Sequence, residues 1–390
     1  MPGSRERLVA MEGMRGFAAI LVFFVHFDAL FRPYFRPDSF VAALAGVAGS
    51  FGHTGVDLFF VLSGFLIYGI VMKQHPSYLS FIWRRIRRLY PVFLLVLSLY
   101  LGLSIAFPSN SRLPASFPRA LMYIGANLLM LPGMTAIPAI ITVSWSLSYE
   151  WFFYLTIPFV IAIFRLRSWM AWQRVAFFIL LAIVECVLWL LGMSGHIRLI
   201  LFASGIILWE LVDEGVPRIL SAWLEYVVTA TFILSILAIG LSGAKQGETV
   251  LVLSKVPHFY APLLFVSLPL FSLYAMFFDG FLGRIFSWDC LRWMGNISYS
   301  YYLIHGLALH GVRLVVNHFF PPAPRSALFD VLLLVVCVSF TILCASLLFV
   351  VVEKPLSWPK TTRNYRGGGY VGEDVLTPVE VARTANASKS

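Results

Sequence analysis

Ten stretches of roughly 20 mostly apolar residues recur along this 390-residue chain, and a bilayer is the medium such blocks fit. They lie at about 8–31, 51–72, 88–107, 145–164, 175–193, 197–213, 223–242, 260–278, 295–315 and 327–352. A soluble domain needs about 25% charged residues to cover its surface, whereas this chain has 12%, against 59% hydrophobic. The fold class expected is therefore all-α: a polytopic integral membrane bundle of about ten transmembrane helices. Arg5 and Arg7 precede the first block, Arg15 interrupts it, and no A-x-A cleavage site follows, so it reads as an uncleaved first helix.

An eleventh apolar stretch, 117–133, decides the topology. If it spanned, the loop 165–174 with Arg165, Arg167 and Arg174 would face outward. If it lies in the interface or re-enters, the strongly basic loops all fall on one side, including 73–88 with Lys73, Arg84, Arg85, Arg87 and Arg88. The second arrangement is preferred, and it makes both termini cytoplasmic. The net charge of +10 is then a topology signal rather than a mark of nucleic-acid binding. Residues 1–358 form one membrane domain, and 359–390, polar and rich in small residues, are expected to be a disordered cytoplasmic tail, with no soluble domain fused at either end. Cys186, Cys290, Cys337 and Cys344 lack CxxC or Cys/His spacing and read as small hydrophobes; no metal-ligand spacing appears.

Ionisable residues inside the blocks are the candidates for function, since each costs on the order of 2.5–3.5 kcal/mol at mid-helix on insertion scales. Arg15 and His26 are eleven residues apart, which places them on one face of the first helix about 16 Å apart along its axis. Taken singly, Arg15 could snorkel to lipid phosphate and His26 could be a satisfied core group. His53 and Asp57 share a face of the second block, and Glu150 enters the fourth at a depth expected to match His26. Either carboxylate could instead bond Trp, Tyr or backbone groups between helices. Arg85 and Arg88 share one helix face and Arg84 and Arg87 another, a cluster that suits a polyphosphate beyond ordinary anchoring. His305 is a further buried histidine, with His310 about 140° away from it on the helix. Gly64 and Gly69 read as close-packing positions.

Taken in order, these segments resemble the membrane-bound acyltransferase 3 family. The residues are Met11-Glu-Gly-Met-Arg15-Gly16 with His26, Gly55-Val-Asp57-Leu-Phe-Phe-Val-Leu-Ser-Gly-Phe65, Arg84-Arg-Ile-Arg-Arg88-Leu-Tyr-Pro91, Trp145-Ser-Leu-Ser-Tyr-Glu150 with Phe153-Tyr154, Gly295-Asn-Ile-Ser-Tyr299 with His305, and Glu353-Lys-Pro355. The likeness covers roughly residues 8 to 356. The family more often has Leu-Asp-Gly-Leu where this chain has Met11-Glu12-Gly13-Met14, which keeps the acid. The resemblance implies a ten-helix enzyme of a bacterial inner membrane with no permanently bound cofactor. It would move an acyl group, commonly acetyl, from cytoplasmic acyl-CoA to a hydroxyl of a cell-surface or lipid-linked carbohydrate.

Carried over residue by residue, the resemblance makes Arg15, Arg85 and Arg88 donor-binding and His26 catalytic, with Asp57 or Glu150 orienting its imidazole. His305, Ser148 and Tyr154 are possible additional site residues. Some relatives carry an extracytoplasmic hydrolase-like domain. Without one, the membrane domain completes transfer itself or a separate extracytoplasmic partner does. The competing class is a proton-coupled transporter of a small solute or glycan precursor, which buried His, Asp, Glu and Arg would also suit; no inverted repeat is visible.

Overall fold

A computed structural model describes residues 4–357 except 109, 110, 112, 194, 216–222, 246–259 and 279. The tail expected from 359 onward lies outside the described residues. Among those described, the regular elements are helical, and a lone bridge between Pro132 and Thr135 is the only extended pairing. The first half comprises α1 (Ser4–Phe31), α2 (Phe40–Phe51), α3 (Thr54–Gln74), α4 (Tyr78–Ala106), α5 (Phe117–Leu128), α6 (Trp145–Ile163) and α7 (Ala171–Leu190). The second comprises α8 (Ile200–Asp213), α9 (Leu224–Lys245), α10 (Tyr260–Phe277), α11 (Phe281–Phe286), α12 (Asp289–Asn296), α13 (Ser298–Phe319), α14 (Ala327–Leu348) and α15 (Lys354–Ser357).

Each expected apolar block coincides with one of these helices. Six have the length and apolarity to cross a membrane: Val9–Tyr34, Thr54–Gln74, Tyr78–Ala106, Thr142–Ile163, Ala171–Leu190 and Ala327–Ser357. The other four expected crossings differ for identifiable reasons. The α8 helix has 14 residues, about 21 Å of rise against a hydrocarbon core of about 30 Å. The apolar parts described for α9 and α10 are Leu224–Leu237 and Pro262–Phe277. The α13 helix is long enough at 22 residues, but His305, His310, Arg313 and Asn317 dilute its apolar character.

The α5 helix occupies the stretch that decided the topology. Its 12 residues rise about 18 Å, too little to span, as the interfacial or re-entrant reading requires. Asn127 pins the return: its amide nitrogen donates to the carbonyls of Tyr123 (2.9 Å) and Pro138 (3.3 Å), and its oxygen accepts from the Ile140 amide (2.8 Å). Gly133, at φ +93°, makes the turn in the left-handed region, pressed against the Trp145 backbone. The chain thus delivers α6 with its polar first turns facing the bundle.

Bundle packing relies on small residues where helices meet backbone to backbone, because lipid gives no hydrophobic drive for helix pairing. A Cβ on Gly64 of α3 would strike the Phe202 carbonyl of α8, and a Cβ on Gly205 of α8 would strike the Val61 carbonyl of α3. The expected close packing at Gly64 and Gly69 is present, Gly69 lying against the Trp209 indole. A buried fork fastens the same helices: Arg174 of α7 donates from Nε (2.6 Å) and Nη2 (2.8 Å) to Glu210 of α8, which also accepts from the Tyr68 hydroxyl of α3 (2.5 Å). Replacing Gly205 by leucine is expected to force these backbones apart and cost about 1–3 kcal/mol. A lower thermal midpoint in detergent, with Gly102→Leu (open space around its Cβ) as the unchanged control, checks this.

Candidate active site

The polar face of α1 reaches two separate nests. At its N-terminal end, Arg15 faces the charges of Glu150, Glu353 and Arg88. Eleven residues on, His26 packs against His305, ring centroids 5.0 Å apart and planes at 60°. The stripe expected from spacing alone therefore has partners at both ends.

The arginine nest is built by α4, α6 and the end of α14. The α4 helix starts at Tyr78, ten residues before the expected apolar block, so the arginine run is helical throughout. Its two faces separate as the i, i+3 spacing requires. Arg85 is buried, its guanidinium 5.2 Å from the Phe81 ring and 5.6 Å from the Tyr154 ring. Arg88 is half-buried. On the opposite face, Arg84 bonds Ser80 Oγ (2.8 Å) and Arg87 bonds the Leu356 carbonyl (3.2 Å).

Glu150 accepts from Ser63 Oγ at 3.0 Å and from the Tyr154 hydroxyl. Glu353, in a π-helical turn at Phe349–Glu353, accepts from the backbone amide (3.2 Å) and Oγ (2.5 Å) of Ser300. Tyr299 donates to the Leu89 carbonyl (2.7 Å) and so locks α13 to α4 at this level. Three guanidiniums thus confront two carboxylates, and among the described residues no ion pair within 4 Å joins Arg15, Arg85 or Arg88 to either acid. The buried Nε of Arg85 has no hydrogen-bond partner. A nest with surplus positive charge and unused donors is chemically suited to an anion.

The second nest holds the histidines. His305 is fully buried and stacked on Tyr301 (centroids 5.7 Å, planes at 7°), with its Nδ1 3.1 Å from the Tyr301 carbonyl oxygen. Tyr302 flanks it at 6.1 Å, and its hydroxyl meets Ser146 Oγ (2.7 Å) and the Val143 carbonyl (3.0 Å). Asp57 lies elsewhere: Arg198, in the short turn leading into α8, stands 3.3 Å from its Oδ1 and 5.2 Å from the Trp145 ring. His53 faces the same guanidinium. Ser148 is buried, and its hydroxyl turns back toward the Ser144 carbonyl at 3.5 Å.

The structure therefore brings Arg15, Arg85, Arg88, Glu150 and Tyr154 together and, separately, His26 with His305. Among the described residues neither Asp57 nor Glu150 bonds His26, because Arg198 draws the first and Ser63 and Tyr154 hold the second. Sequence reasoning missed Arg198, whose one signal was a lone arginine at a span boundary. It also gave no role to Glu353, an acid that ends the most apolar helix.

Apolar helices long enough to cross a bilayer, with ionisable side chains clustered in two separate nests along the first of them, define a multi-pass membrane protein. The sequence pattern of the acyltransferase domain known as acyltransferase 3 matches residues 8–351, and the chain belongs to that family. Acyltransferase MdmB of Streptomyces mycarofaciens is 33% identical over 160 residues, 40% of this chain and 40% of that protein. Exopolysaccharide production protein ExoZ of Rhizobium meliloti (strain 1021) is 29% identical over 120 residues, 30% of this chain and 36% of that protein. These matches span well under half the length of either relative. No solved structure matches the chain.

Proposed function

We propose that this protein is a membrane O-acyltransferase of a bacterial inner membrane. It takes an acyl group, acetyl in the simplest case, from cytoplasmic acyl-CoA and delivers it to a hydroxyl of a cell-surface or lipid-linked carbohydrate. The observation that carries this reading is the single face of α1 joining a cationic nest to a histidine about 16 Å away. That length suits an extended pantetheine arm. The names of the relatives, an acyltransferase and an exopolysaccharide production protein, agree with acyl transfer and with a saccharide acceptor.

The basic loops put the arginine end on the cytoplasmic side. Arg15, Arg85 and Arg88 hold the phosphates of CoA there, with Glu150, Glu353 and Tyr154 keeping the guanidiniums apart and oriented. The thioester reaches His26. The imidazole takes the proton of the acceptor hydroxyl as its oxygen attacks the thioester carbonyl carbon, the C–S bond breaks, and the proton passes to the departing thiolate. The products are an ester and free CoA. The acceptor binds from the opposite side, where Asp57, Arg198 and Trp145 lie, and a separate extracytoplasmic protein can complete delivery.

Mass spectrometry of surface saccharide from cells with and without the protein tests this. The expected result is one acyl mass increment per modified sugar, lost with the protein. Identical saccharide in both strains, together with CoA-independent solute flux in vesicles, would instead make the chain a carrier.

A further inference from the structure

With Asp57 in ion-pair contact with Arg198 and Glu150 hydrogen-bonded to Ser63 and Tyr154, neither carboxylate bonds His26, and α13 offers another group to fix its imidazole. Nδ1 of His305 lies 3.1 Å from the Tyr301 carbonyl oxygen. A carbonyl only accepts, so Nδ1 carries the hydrogen and, in the neutral ring, Nε2 carries the lone pair. Nε2 is buried and has no hydrogen-bond partner, and the ring that carries it packs in a T-shaped contact with the His26 ring, centroids 5.0 Å apart. The ring is held in this pose by its stack on Tyr301 and by Tyr302, itself tied to Ser146 and Val143. A histidine retained for packing alone has no need to leave a bare acceptor in an apolar interior beside a second histidine.

We propose that His305 is the positioning residue of His26, its Nε2 accepting the His26 N–H when substrate is bound. This rests on His26 acting as the base. The resting rings touch without a hydrogen bond, and catalytic hydrogen bonds commonly tighten only in the substrate complex. Once made, the bond fixes which His26 nitrogen keeps its lone pair and turns that nitrogen to the acceptor hydroxyl. During transfer the hydroxyl proton moves to this free nitrogen and then to the CoA thiolate. The opposite N–H stays donated to His305, which gains no net proton. A neutral imidazole performs here the orienting role that a carboxylate performs in a triad, and it is cheaper to bury in a membrane interior than an anion.

Two substitutions separate this role from packing. In His305→Gln the amide oxygen can stand near the former Nε2 and accept; in His305→Met the volume is kept and the acceptor lost. For acyl transfer by the purified protein, His305→Met is expected to lower kcat about 100-fold, with KM for acyl-CoA within about threefold, and His305→Gln to recover to within about tenfold of the parent. Thermal stability in detergent should rank the other way, methionine above glutamine, since the site is apolar. If activity follows stability instead, methionine active and glutamine impaired, His305 only fills space. His26→Ala is assayed beside them. Activity surviving there overturns the base assignment itself, whereas its loss beside a fully active His305→Met overturns only the positioning role.

Discussion

His26→Ala is expected to reduce acyl transfer by about 10³-fold or more while the protein still inserts, folds and binds donor. General-base assistance alone contributes about 10²–10⁴-fold, and no other imidazole stands on the face of α1 that carries Arg15. The side chain is half-buried and makes no ion pair among the described residues, so its removal disturbs little beyond the contact with His305. Donor affinity should stay within about threefold, because the phosphate-holding arginines lie about 16 Å away. The check is paired: turnover with labelled acyl-CoA, and equilibrium binding of a non-hydrolysable CoA thioether. A loss of binding equal to the loss of turnover would make His26 a structural residue.

The second large effect concerns the arginine nest. Replacing Arg85 by methionine and Arg88 by glutamine is expected to raise the dissociation constant for acyl-CoA by about 100-fold or more, since charge-assisted hydrogen bonds contribute about 1.5–3 kcal/mol each. Turnover at saturating donor should fall far less. Stability supplies the discriminating measurement. Arg85 is a buried guanidinium that forms no ion pair within 4 Å among the described residues, so methionine in its place should leave the thermal midpoint unchanged or raise it. Were the two arginines topology anchors only, the double variant would insert poorly and bind donor normally. Raising salt from low to physiological strength should weaken donor binding in the parent and much less in the variant.

Local pattern and long-range pairing were unequally legible in the sequence. The helices were legible because apolar runs and their polar breaks are local properties. The shared face of Arg15 and His26 followed from helical period alone, as did the division of the arginine run into an inward pair and an outward pair. Which groups meet across the bundle did not follow. His26 and His305 are 279 positions apart, and Asp57 meets Arg198 only because a turn between α7 and α8 folds over α3. The depth expected for Glu150, level with His26, is not the one it takes: it lies beside Arg15 and Arg85, at the other end of the α1 stripe, because Ser63 of α3 and Tyr154 hold its carboxylate there. Glu353 closes the last apolar span, and its carboxylate turns inward to Ser300 from a π-helical turn that no sequence rule announces.

Radiolabelled acetyl-CoA supplied to the purified protein in nanodiscs with a saccharide acceptor tests the central claim most directly. The account predicts alkali-labile label in the saccharide, free CoA released in equal amount, and neither product with His26→Ala. CoA release without label in the saccharide, or labelling that persists in His26→Ala, would contradict it.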